Sequence, residues 1–167
     1  MLIVLGGLPA TGKTTIARLL SRRIRATHLR IDTIEQALRS SGSLTGDVGP
    51  AGYLVAYALA EDMLKLGQVV IADSVNPVAA TREAWRAVAA RAEMPVMEVE
   101  VVRSDPTDHR RHVEARTTDI PGLPLPTWDD VLARDYEPWE GPRVVVDTTG
   151  RTVDQSVTEI VAALQRY

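Results

Sequence analysis

The sequence predicts an α/β fold in which a parallel sheet is covered by helices on both faces. Short apolar runs alternate with helix-length segments along the chain, the order expected when each strand is returned by a helix. The runs LIVL (2–5), VVIA (69–72) and VVVD (144–147) are apolar without polar alternation, as strands buried on both faces should be. At 167 residues the chain predicts one domain, 1–167, with a sizeable core.

The elements follow in order. LIVL reads as the first strand, TTIARLLSRRI (14–24) as a helix, and THLRI (27–31) as a weak second strand. YLVAYALAEDMLKL (53–66) reads as a helix and VVIA as a strand. TREAWRAVAARA (81–92) is the next helix; Trp85 shares a face with Val88 and Ala89 and is expected in the core. VMEVEVV (96–102), VVVD and VDQSVTEIVAALQRY (153–167) complete the alternation. Two stretches break it. SSGSLTGDVGPAG (40–52) reads as a mobile loop. DIPGLPLPTW (119–128), with three prolines, reads as a stiffened connection on a moving part.

Composition narrows the function. A net charge of −3 and a pI near 5.6 argue against a large non-specific nucleic-acid surface, while leaving room for a local basic groove. The absence of cysteine excludes disulfides, thiolate chemistry and Cys-type zinc sites. No stretch approaches the roughly 20 apolar residues of a membrane span, and the first apolar run lacks a basic leader, so the cytoplasm is the expected location.

The most informative stretch is GGLPATGKTT (6–15). Gly7, Gly12, Lys13 and Thr14 match G-x-x-x-x-G-K-[ST] between a buried strand and an amphipathic helix, where a phosphate-binding loop must lie. The glycines permit close backbone approach, so the amides of Gly7, Leu8, Pro9, Ala10, Thr11, Gly12, Lys13, Thr14 and Thr15, proline excepted, are candidates to cradle phosphates at the helix N-terminus. Lys13 is one of two lysines in a chain with 17 arginines, which suits a compact ammonium reaching β- and γ-oxygens. The Thr14 hydroxyl is a candidate Mg²⁺ ligand.

Two acids accompany the loop. Asp73 ends VVIAD at the carboxyl edge of a predicted strand, where it would reach Mg²⁺ or its waters; with Ser74, Asn76 and Pro77 following, it would equally suit an Asx turn. Asp32 follows THLRI and is a candidate general base or substrate ligand, but Asp32–Glu35 and Thr33–Gln36 both have capping-box spacing. In HRRHVEAR (109–116), Arg110 and Glu114 stand at i, i+4 and suit a surface pair, whereas Arg111 and Arg116 have no obvious helical partner. At least one of these arginines is expected on phosphate, and residues 104–137 then read as a lid. The three histidines have no convincing metal-site spacing, and Trp128 and Trp139 have no single reading.

With these residues in place the chain resembles the small P-loop kinases of the AAA_33-type ATPase group, which includes polynucleotide 5′-hydroxyl kinases and lies close to chloramphenicol phosphotransferase and gluconate kinase. GLPATGKTTIARLL, RIDTIEQAL, VVIADSVNPVAATREAW, DHRRHVEAR and LPTWDDVLARDYEPW carry the resemblance by their order and spacing. It implies a P-loop NTPase three-layer sandwich, with a five-stranded parallel sheet of order 2-3-1-4-5 and a helical lid. It further implies ATP and Mg²⁺ as cofactors, Asp32 as general base, Asp73 near the metal, and an arginine from 110–116 on the phosphates. The loop around Thr148 to Arg151, with Thr149 and Gly150, would lie near the adenine. The acceptor does not carry over. A small-molecule hydroxyl is expected; a polynucleotide, a nucleoside or nucleotide, or a non-catalytic ATP switch are the alternatives.

Overall fold

β1 (Leu2–Gly6) is central in the sheet because both its faces are apolar: Leu2 and Val4 enter one core, Ile3 and Leu5 the other. A computed structural model of the protein describes residues 1–42 and 46–167; residues 43–45 of the loop expected at 40–52 lie outside the described residues. Among the described residues, β2 (Thr27–Arg30), β3 (Val70–Asp73), β4 (Val96–Val102) and β5 (Val144–Asp147) join β1 in one parallel sheet of order β2-β3-β1-β4-β5. The order implied by the resemblance is the order found.

The helices divide between the two faces. α1 (Lys13–Ile24) and α7 (Val153–Leu164) cover one, bringing Ile16, Leu20, Val157 and Ile160 onto Ile3 and Leu5. On the other lie α2 (Ile31–Ser40), α3 (Ala51–Lys65) and α4 (Ala79–Arg91), with Ala56, Leu64 and Val88 in the core. Trp85 is fully buried there, as its helical face predicts, with its ring edge on Tyr57 and its indole N–H donating to Asn76 Oδ1.

Neither capping reading at the start of α2 holds. β2 runs into α2 without a loop, so Asp32 and Thr33 are already helical, and Arg30 holds the cap position with no side-chain cap bond. Asp32 instead occupies the first turn, where the helix dipole favours a carboxylate.

The segment 104–137 contains α5 (Pro106–Glu114) and α6 (Trp128–Leu132). Asp105 caps α5 ahead of Pro106, and Thr127 and Asp130 form a reciprocal capping box on α6. The segment is anchored at both ends. Ser104 donates through its amide and hydroxyl to Asp147, and the Glu137 amide donates to Pro77 O while Arg82 donates to the carbonyls of Glu137 and Pro138. Trp139, just beyond, is buried against Gly6 with the Arg82 guanidinium 5.0 Å from its ring. Trp128 sets its ring edge against His109. Among the described residues no helix is long and apolar enough to cross a membrane.

Candidate functional site

Parallel strands send their carboxyl ends to one edge of the sheet, and the segments leaving β1, β2, β3 and β4 meet there around a cavity of about 770 Å³. The loop after β1 turns on two glycines held at positive φ. Gly7 has φ +136°, and a Cβ on it would lie 2.1 Å from Val101 O; Gly12 has φ +99° and precedes α1 without a side-chain cap. The first intrahelical bond runs from the Ile16 amide to Gly12 O, so the amides of Lys13, Thr14 and Thr15 precede the helical ladder.

Three ties hold this loop from distant elements. The Gly7 amide donates to Val75 O, His109 Nε2 donates to Pro9 O at 2.7 Å, and Thr148 Oγ1 donates to Thr11 O at 2.9 Å. Within the loop, Thr11 Oγ1 and Lys13 Nζ both donate to Leu8 O. Burial pulls the Lys13 ammonium down to about 8, against the opposing influence of Asp73 and Asp32; Arg116 and Arg134 push it further down. A cation raised in energy in this way is a poised partner for an anion.

Pro9, Ala10, Gly12, Lys13, Thr14 and Thr15 line the cavity, and so do Asp32, Asp73, Arg111 and Arg116. Gly7, Leu8 and Thr11 stand behind that wall as its support. Arg110 does not line the cavity; it pairs with Glu114 at 2.7 Å, the surface pairing its spacing suggested. Arg111, expected without a partner, contacts Asp108 three residues earlier, while Arg116 forms no ion pair among the described residues. Thr149 and Gly150 stay outside the cavity, with Thr149 Oγ1 accepting from the Asp105 amide.

Several lining or supporting groups went unnoticed in the sequence. His28 Nε2 donates to Asp73 Oδ2 at 3.1 Å and so orients a carboxylate that is 3% exposed. Arg30 and Arg134 line the cavity, and so does Tyr53, whose hydroxyl is pushed up by burial and faces Ser74. Only the β2–β3 register brings His28 within reach of Asp73, and it left no local signal. Among the described residues, eight cationic side chains line the cavity against four carboxylates, in a chain whose net charge is −3.

Mg²⁺ prefers oxygen ligands, keeps several waters, and is held by one or two protein groups beside phosphate; the Thr14 hydroxyl and the Asp73 carboxylate, both lining the cavity, are the residues that could hold it.

Comparisons with known proteins agree with this architecture. A protein of Aeropyrum pernix named "Probable adenylyl-sulfate kinase" is 24% identical over 178 residues, covering 99% of this chain and 92% of its own length. A gluconokinase from Sinorhizobium meliloti shares the fold with a TM-score of 0.65 at 19% identity, over 98% of this chain and 91% of that one. The Mycobacterium tuberculosis APS kinase in complex with AMPPNP and APS gives 0.63 at 19% identity, over 98% and 96%. These likenesses are of fold. The AAA_33 family, described as an AAA domain, matches residues 2–138, from the central strand through the phosphate loop to the end of the segment over the cavity, and the chain belongs to it.

Proposed function

We propose that this protein is a cytoplasmic ATP- and Mg²⁺-dependent phosphotransferase that moves the γ-phosphate of ATP to a hydroxyl of a small molecule, such as an antibiotic or a sugar-like metabolite. The observation that carries the reading is that Lys13 and Asp32 line one cavity, close enough for the carboxylate to act on the ammonium, with room of about 770 Å³ for a nucleotide and a small acceptor together. Mg²⁺ held by Thr14 and Asp73 would neutralise charge on the transferring phosphoryl group. Lys13 and the amides at the start of α1 hold the β- and γ-oxygens, and His28 keeps Asp73 in orientation. Asp32 accepts the proton of the attacking hydroxyl. Arg116, with no carboxylate partner among the described residues, and Arg111 supply positive charge to the equatorial oxygens.

The direct test is incubation with Mg·ATP and a panel of hydroxyl compounds, including a 5′-hydroxyl oligonucleotide, with phosphorylated product read by mass. Transfer to a small acceptor supports the reading; transfer to the oligonucleotide alone replaces the acceptor class. No transfer to any compound by a protein that binds ATP would leave a nucleotide switch.

Lys13 makes binding depend on pH in a defined direction. Its folded pKa lies near 8, below the ordinary 10.5, so the buried charge weakens the fold below pH 8; that burden lifts as pH rises from about 8 to 10.5, where the folded state loses the proton first. Bound phosphates restore the charge, so Mg·ADP binding at pH 8 should take up about half a proton. Calorimetric titrations in buffers of different ionisation heat measure it, and identical heats in both would refute it.

We further propose that residues 104–137 act as a lid. Amide exchange in α5, α6 and the proline arm between them should slow when Mg·AMPPNP and acceptor bind, since closure excludes water. If slowing is confined to residues 7–15, the segment is a fixed wall.

A further inference from the structure

An arginine is an unusual residue to bury, and Arg30 is only 8% exposed. Its Nη1 donates to Asp119 Oδ1 at 2.9 Å, its Nη2 lies 3.8 Å from Asp32 Oδ2, and its Nε has no hydrogen-bond partner among the described residues. Arg18, reaching over from α1, contacts the other oxygen of the same Asp119 carboxylate. One carboxylate is therefore gripped by two guanidinium groups, one through each oxygen, the arrangement by which arginine recognises carboxylates and phosphates. These hydrogen bonds, from Arg30 foremost and then Arg18, hold the Asp119 carboxyl well below the usual carboxylate range. Yet the anion does not come from the core. It sits on the proline arm of 104–137, and its side chain is 54% exposed. A buried cation is thus matched by a carboxylate on the segment that covers the cavity, and all three side chains line that cavity beside Lys13 and Asp32.

Resting on the phosphotransferase reading, we propose that the acceptor is an anionic hydroxyl compound, whose carboxylate or phosphate takes the seat on Arg30 and Arg18 that Asp119 fills in this structure. Arg30 then joins two tasks. One edge of its guanidinium holds the acceptor's anion, and the other faces Asp32, which sets a neighbouring hydroxyl of the acceptor beside the base. Asp119 is an internal competitor: displaced, it frees the proline arm from α1 and β2 as the acceptor enters. A neutral acceptor would leave Asp119 in place and would not be seated.

The test fills the phosphate loop with Mg·AMPPNP and titrates inorganic sulfate as the probe, read by calorimetry and thermal shift. The parent protein should bind sulfate saturably. Asp119→Asn, which keeps the size but removes the competing charge, should tighten binding by about tenfold, the gain expected when an occupied seat becomes free. Arg30→Gln should abolish binding. Because replacing the buried Arg30 puts folding at risk, the Asp119→Asn arm decides alone: unchanged or weaker sulfate binding overturns the proposal. A second arm compares transfer from ATP to glycerol, glycerate and glycerol 3-phosphate, and to a neutral sugar with its acid and phosphate, which separates carboxylate from phosphate recognition. Equal transfer to the neutral members overturns the anion seat and leaves phosphotransfer standing. Tighter sulfate binding without transfer to any member would instead count against phosphotransfer and leave the anion seat standing.

Discussion

Lys13→Ala is expected to lower ATP-dependent transfer by roughly 10²- to 10³-fold, the loss typical when one preorganised donor to a charged transition state is removed. The fold should survive. Among the described residues Lys13 Nζ hydrogen-bonds to Leu8 O alone, and that carbonyl keeps its second donor, Thr11 Oγ1. The ammonium is also buried at an energetic disadvantage, as its lowered pKa reports, so alanine relieves desolvation. The melting temperature at pH 7 should therefore be equal to or above that of the parent, while nucleotide titration shows greatly weakened binding. A folded variant with unchanged affinity and turnover would remove the phosphate loop from the mechanism.

Asp32→Asn should separate catalysis from binding. Asp32 caps nothing, and its nearest cation, Arg30, is 3.8 Å away, so asparagine in the first turn of α2 should alter stability by less than about 1 kcal/mol. It cannot accept the hydroxyl proton, and single-turnover transfer should fall roughly 10²- to 10⁴-fold with nucleotide affinity retained. Because Asp32 helps to hold the Lys13 pKa up, the variant should also shift the proton uptake on Mg·ADP binding to lower pH. Normal transfer by Asp32→Asn would leave the acceptor hydroxyl without its proposed base.

What could be read from the sequence was what the sequence encodes locally. Every predicted strand is present, since an unalternated apolar run has few other fates, and the phosphate loop is recognisable because its glycines and lysine are contiguous. The capping-box spacings at Asp32–Glu35 and Thr33–Gln36 form no cap, because spacing alone cannot reveal that β2 enters the helix without a loop. The basic lining of the cavity was not legible either. Arg18, Arg30, Arg103, Arg116 and Arg134 are scattered along the chain, and an acidic pI averages away a concentration that only the topology creates. His28 and His109 escaped for the same reason: each acts on a partner, Asp73 or Pro9, that lies far away in sequence.

The position of β1 at the centre of the sheet has a kinetic consequence. Leu2 pairs with Val70 and with Val96, residues 68 and 94 positions further along, so the strand cannot be paired on both sides until most of the chain has collapsed around it. Such non-local pairing carries a loop-closure entropy that must be overcome before any contact rewards it, and it slows folding. The phosphate loop inherits this delay. It is among the first segments in the chain, yet its three ties come from Val75, His109 and Thr148. In refolding, recovery of nucleotide affinity should coincide with the last cooperative phase, and a fragment ending before Thr148 should have the motif without a formed loop.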